Sequence, residues 1–221
     1  MSVFGYNKDC TSKEQILTKV REAILEKDEK HFSTINLQDD TWLPFDEEDG
    51  AEFTFVKRFK ENGGIFMYFE EMEHFKEAIN QFVEENNWSP LLTTSPYIKE
   101  IFADTDIEFS DDFKDLERKN KVSIIDCECM IAQTGSIMVS DVTAGSRAAY
   151  AFADTLIVVA HPSQIVARMK DAFGYMKEKY NDNQPASMTM ISKSTRSTDI
   201  ENTLVVGAYG FKQVALFLVE E

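Results

Sequence analysis

Hydroxyls and cations gather in one part of this 221-residue chain, residues 192–201, which read Ser-Lys-Ser-Thr-Arg-Ser-Thr-Asp-Ile-Glu. Ser192, Ser194 and Thr195 supply hydroxyls, and Lys193 supplies a point charge. Arg196 supplies a planar guanidinium that grips a carboxylate or phosphate through paired hydrogen bonds. Backbone N–H groups in such a loop add further donors for an anion. Asp199 and Glu201 stand two apart, so an extended backbone turns both to one side. There they act as a base, or else as the acids that orient Arg196. The alternative for the whole loop is a solvated turn, because Ser and Thr favour turns for backbone reasons alone. Two more loops carry related chemistry, Gln133-Thr134-Gly135-Ser136 and Thr143-Ala144-Gly145-Ser146-Arg147, the second with its own guanidinium. Gly207, Tyr209 and Gly210 close the segment after the apolar run Leu204-Val205-Val206.

Apolar periodicity names the elements that must hold these loops. Residues 12–27 read as an amphipathic helix, with Ser12 and Gln15 spaced as a capping box. An acidic connection with Pro and Gly follows at 39–50, pinned by Trp42, Leu43 and Phe45. Residues 53–60 fit a helix slightly better than a strand, and 65–69 read as a strand. Met72, Phe75, Ile79, Phe82 and Val83 mark a helix ended by Asn86-Asn87. A short strand at 90–94 then leads to a helix that runs from Ser95-Pro96 to Phe102. Strand and helix alternating at this spacing predict a parallel sheet with helices packed against it. Short strands follow at 122–125, 128–133, 136–139 and 156–159. Pro162-Ser163 is expected to open a long helix striped by Ile165, Val166, Met169, Ala172, Phe173, Met176 and Tyr180. Strands at 187–191, 203–206 and 213–219 complete the chain, the first two expected to be buried on either side of the hydroxyl-rich loop. We expect residues 1–50 to form an N-terminal helix and acidic arm, and residues 51–221 an α/β domain, with one globular domain overall. In such sheets ligands settle beyond the carboxyl ends of the strands.

Composition excludes several classes of function. The net charge is −16, and 28 of the 39 acids fall within residues 1–121. An acidic chain is a poor partner for nucleic acid, whereas the more neutral second half tolerates a small anion. The apolar runs are strand-sized, too short to span a membrane. The first ten residues show neither an apolar signal core nor a basic leader, so the expected location is cytoplasmic. Cys10, Cys127 and Cys129 are too few for a disulfide framework or a four-cysteine metal site. The last two are expected to be core thiols on one strand face. There is no Walker A loop, dinucleotide fingerprint, nucleophile elbow or zinc-protease motif. Neither metal nor cofactor is expected.

The stretches Cys-Glu-Cys-Met-Ile-Ala-Gln-Thr-Gly-Ser from Cys127 and Ile-Ser-Lys-Ser-Thr-Arg-Ser-Thr-Asp-Ile-Glu from Ile191 resemble the two hallmark segments of the lactate utilization (LUD) domain family. That family typically reads Ala-Glu-Thr-Gly-Thr in the first. In the second it reads Gly-Pro-Ser-Arg-Thr-Ala-Asp-Ile-Glu, followed by Gly-Val-His-Gly-Pro. The resemblance implies a three-layer α/β fold around a largely parallel sheet, like that of ribose-5-phosphate isomerase, glucosamine-6-phosphate deaminase and coenzyme A transferases. It also implies a component like lactate utilization protein C, working with iron–sulfur oxidoreductase subunits that convert L-lactate to pyruvate. Gln133 stands where the family has Glu, Lys193-Ser194 replaces Gly-Pro, Thr195 replaces Ser, and Tyr209 replaces His. Arg196, Asp199, Ile200, Glu201, Gly207 and Gly210 are retained. The anion-gripping part is thus kept and the proton-transfer part altered. Two other readings stand beside a metabolite-binding component: an interaction subunit with a vestigial site, and a sugar-phosphate isomerase or coenzyme A transferase-like enzyme.

Overall fold

The computed structural model describes residues 14, 17–19, 21–22, 50–112, 121–194, 196–197, 205–207 and 210–220, with backbone alone at 196–197 and 205–206. The chain divides into two compact units, residues 1–41 and 42–221. In the first, Glu14, Leu17, Thr18, Lys19, Arg21 and Glu22 are helical, and the Thr18 hydroxyl donates to the Glu14 carbonyl. Ser12, Gln15, the acidic arm and its anchors Trp42, Leu43 and Phe45 lie outside the described residues. No helix among the described residues is long and apolar enough to cross a membrane.

The second unit is built on a six-stranded, wholly parallel sheet. Its strands are β1 (Ile65–Phe69), β2 (Leu91–Leu92), β3 (Phe109–Ser110), β4 (Val122–Asp126), β7 (Thr155–Ala160) and β12 (Gln213–Val219), in the order β1-β12-β7-β4-β2-β3. The central strands are apolar on both faces, as burial on both sides demands. Alternate residues serve two different cores. Val214, Leu216 and Leu218 of β12, with Leu156 and Val158 of β7, face α1 (Ala51–Glu61) and its stacked rings Phe55 and Phe59. Ala215, Phe217 and Val219, with Ile157 and Val159, face α2 (Met72–Asn86) and α3 (Pro96–Ile101) through Phe75, Ile79 and Ile98. The helical reading of residues 53–60 and the Asn86-Asn87 stop both hold, and Asn87 adopts the left-handed conformation that ends a helix.

A second sheet of four strands lies beyond the first core, in the order β8-β5-β6-β9: β8 (Ile165–Val166), β5 (Cys129–Ile131), β6 (Ser136–Ser140) and β9 (Met188–Ile191). Met130, Ile137 and Val139 face the main sheet, while Cys129, Ile131 and Met138 face α5 (Met169–Tyr180) through Ala172 and Met176. Helices, parallel sheet and covering layer make the α/β sandwich expected from the strand–helix alternation.

Three expectations need correction. The long helix opening at Pro162 does not form: residues 162–164 are one 3-10 turn, and Ile165 and Val166 pair in parallel with Met130 and Ile131. These two β-branched side chains suit a ladder better than a helix, and α5 begins only at Met169. Cys127 and Cys129 do not share a face. The chain bends at Glu128 to pass from one sheet to the other, leaving Cys127 in the core against the main sheet and Cys129 in the core against α5. The strand that enters the hydroxyl-rich loop is an edge rather than a buried strand, with Met188 and Met190 of β9 exposed.

Candidate functional site

Four parallel strands end around one cleft of about 500 Å3. Asp126 is the last residue of β4 and Cys127 the next; His161 follows β7, Glu220 follows β12, and Met72 starts the helix after β1. Strands of one direction must release their chains at one edge, so residues far apart in sequence converge there.

One wall is a hydrogen-bonded set on the main sheet. The carbonyl of Val219 can only accept, so the His161 Nδ1, 2.8 Å away, carries its proton. In the neutral imidazole Nε2 is therefore bare and accepts from the Tyr97 hydroxyl at 2.6 Å. Ser95 caps α3 by accepting from the Ile98 N–H, and its hydroxyl donates to Asp126 Oδ1 at 2.6 Å. Burial pushes the Asp126 carboxyl above its ordinary value, against the opposing hydrogen bond from Ser95. Gln164 ties the turn after β7 to the link after β4: its carbonyl accepts from the His161 N–H and its amide donates to the Cys127 carbonyl. Burial also pushes the Cys127 thiol far up, which keeps it uncharged.

The facing wall comes from α5 and the second sheet. Glu128 is fully buried and takes three donors: Lys179 Nζ at 2.8 Å, the Tyr180 hydroxyl at 2.7 Å and the Ser140 hydroxyl. Burial disfavours the Lys179 charge, but the hydrogen bond and the carboxylate of Glu128 outweigh it and hold the ammonium above its usual value. The same ammonium lies over the rings of Tyr175 and Tyr180. Tyr180 is pushed up to about 12 by burial and by Glu128, and Cys129 to about 12 by the same two causes. With its proton given to Glu128, the Ser140 hydroxyl accepts from that of Thr143 at 3.3 Å, and Thr143 stands on the cleft with Lys179. Val159 and Met72 give the cleft an apolar margin. Among the described residues no three His, Cys, Asp or Glu side chains gather to hold a metal ion.

The LUD domain model matches residues 54–219. This chain belongs to the LUD domain family. Two curated relatives named lactate utilization protein C are similar over shorter stretches. The one from Bacillus licheniformis is 29% identical over 96 residues, 42% of this chain and 40% of its own length. The one from Geobacillus thermodenitrificans is 27% identical over 109 residues, 48% of this chain and 45% of its own. The matches therefore span less than half the length of these relatives. A DUF162 family protein of known structure from Deinococcus radiodurans shares the fold with a TM-score of 0.58. That match is 17% identical and covers 80% of this chain and 99% of that one.

The LUD domain places the residues expected from the sequence in three regions. Gln133, Thr134 and Gly135 form the tip of the β5–β6 hairpin, pressed on α1. Arg58 donates to the Gln133 carbonyl, Asn62 donates to the Thr134 carbonyl, and the Gln133 side chain accepts from the Met169 N–H. Gly135 has φ +59, and a Cβ there would lie 2.6 Å from the backbone of Arg58 and Phe59. Ser192 joins this tip, its hydroxyl 2.8 Å from that of Ser136, so the loops that hold Gln133 and Ser192 touch there. Lys193 is exposed and Ser194 partly so. The second region is the turn at 143–147, fastened where β2 ends by the Thr94 hydroxyl donating to the Ala144 carbonyl at 2.6 Å. Gly145 (φ +70) is held there because a Cβ would meet the Thr94 carbonyl at 2.4 Å. Thr143 reaches the cleft, while Arg147 is exposed ahead of α4 (Ala148–Ala151). Gly207 and Gly210 make up the third, on the approach to the amino end of β12.

Of Arg196 the structure describes the backbone, which in β10 (Arg196–Ser197) pairs with Val206 of β11 (Val205–Val206). Thr195, Asp199, Glu201 and Tyr209 lie outside the described residues. Sequence reasoning missed Tyr97, Asp126, His161, Lys179 and Glu220. Two of these carried a usable signal, since His161 and Glu220 directly follow the apolar runs 156–160 and 214–219. Lys179 carried none, being one of several lysines on a helix.

Proposed function

We propose that this chain is a lactate utilization protein C-like component of an L-lactate oxidation system, and that it binds a small 2-hydroxy acid in the cleft at the strand ends. Iron–sulfur oxidoreductase subunits are the partners this reading calls for, and binding is the task it assigns to this chain. The observation that carries it is the unlike chemistry of the two walls. Lys179 offers a donor to a carboxylate, Thr143 adds one when its hydroxyl turns from Ser140 to the ligand, and Asp126 offers an acceptor to a hydroxyl. Met72 and Val159 receive the alkyl part. The names of the curated relatives supply the substrate class. Glu128 offsets the charge of Lys179, and Asp126 and Glu220 oppose an anion, so the dissociation constant expected is modest, about 1 mM.

The Arg196 loop is the second place for the anion, favoured by the Ser136–Ser192 contact that joins two of the expected loops. Titration calorimetry with L-lactate on wild type, Lys179→Gln, Thr143→Val and Arg196→Ala separates the two. The cleft reading expects Arg196→Ala to bind like wild type and both cleft variants to weaken binding about tenfold. Loss in Arg196→Ala alone moves the ligand to the loop. No heat in wild type sinks the binding function itself.

A further inference from the structure

We infer that Asp126 makes the cleft select a 2-hydroxy acid over the corresponding 2-keto acid. The inference rests on the binding reading above and names its specificity-determining residue. It follows from where the hydrogens go. On the main-sheet wall the Nδ1 proton of His161 is donated to Val219, the Tyr97 hydroxyl proton to His161, and the Ser95 hydroxyl proton to Asp126. The polar hydrogens of these three groups are used inside the protein, as is the Gln164 amide hydrogen that goes to the Cys127 carbonyl. What Asp126 turns to a ligand is acceptor capacity, since a carboxylate has about four lone-pair sites, of which Ser95 takes one and the Asp126 backbone N–H another.

A hydroxyl at C2 of the bound acid donates to that carboxylate. A keto oxygen at the same carbon has no proton, and it sets acceptor against acceptor. Sites built to bond a hydroxyl reject the analogue lacking it, because the protein's own polar group is left unpaired. The cleft is open to water, so the discrimination expected is about tenfold, well short of that in a sealed pocket.

Protonation of Asp126 reverses the logic, because the carboxylic acid can donate to a keto oxygen. Burial, and to a lesser degree Glu128 of the β4–β5 link, oppose the ionised form, whereas the backbone N–H of Asp126 and Lys179 of α5 favour it. Ser95 of α3 stabilises the carboxylate by its hydrogen bond. Tyr97 of α3, the uncharged Cys127, His161 after β7 and Glu220 after β12 complete the titratable groups on the cleft. Discrimination therefore falls as the pH is lowered. In Asp126→Asn the amide oxygen still accepts from Ser95, and its NH2 faces the ligand as a donor.

The test is calorimetry with L-lactate and pyruvate at about pH 8 and about pH 5.5, on wild type and Asp126→Asn, with thermal melts to verify folding. Expected are a roughly tenfold preference of wild type for lactate at the higher pH, a smaller one at the lower, and none or a reversed one in Asp126→Asn at both. Equal binding of the two acids by wild type at about pH 8, or an unchanged preference in a folded Asp126→Asn, overturns the selector while leaving the binding function in place. If wild type binds neither acid, both fall together.

Discussion

A partly buried carboxyl such as Asp126 writes a pH dependence into stability. Its folded value is raised by burial above the unfolded value of about 3.9. Between the two values the native protein holds a proton that the unfolded chain has released. Stability from this group therefore declines as the pH rises through that window and stays reduced above it. We expect Asp126→Asn to melt higher than wild type near neutrality, with the advantage gone below about pH 4. Parallel melting curves from acid to neutral pH check this, and a difference independent of pH would show that burial of the charge is not the cause. Gly135 belongs to the same scale. Its positive φ and the close approach to the α1 backbone predict a loss of about 2–3 kcal/mol in Gly135→Ala, read from denaturant unfolding. A turn glycine was legible in the sequence there; its packing against α1 was not, because α1 is some seventy residues away.

Elements meet through Glu128. It stands where the chain leaves the main sheet for the second one, and it fastens the last turn of α5 and the end of β6 to that bend. Only the Glu128 end of this pair is buried, and removing the partly exposed Lys179 leaves that carboxylate with hydroxyl donors alone, so Lys179→Met is expected to lose about 1–2 kcal/mol in urea unfolding. A change below about 0.5 kcal/mol would mean that the pair behaves like one on the surface. Periodicity read most elements well, because a strand or helix buried on a defined face must repeat its apolar residues at that element's own period. It failed at Ile165 and Val166, where two apolar residues fit either a helical stripe or a two-residue ladder. Pairing with Met130 and Ile131 decided between them.

For the molecule as a whole, a net charge of −16 means self-repulsion that the fold must overcome. Raising the salt from about 10 mM to about 150 mM shortens the Debye length from about 30 to about 8 Å. The melting temperature is expected to rise by a few degrees, and a fall in differential scanning calorimetry would contradict this. The parallel sheet organises everything else at this scale. Its strands all deliver their carboxyl ends to one edge, where the cleft lies, and their amino ends to the other, which Gly207 and Gly210 approach.

By itself the sequence determined the strand–helix order, the parallel sheet, the turn at Gly135 and the family, because local period, turn chemistry and hallmark segments are properties of neighbouring residues. Only the tertiary structure decided that Tyr97, Asp126, His161, Lys179 and Glu220 share one cleft. Strand order and chain direction bring these residues together across more than a hundred positions, and no local pattern of side chains encodes that meeting.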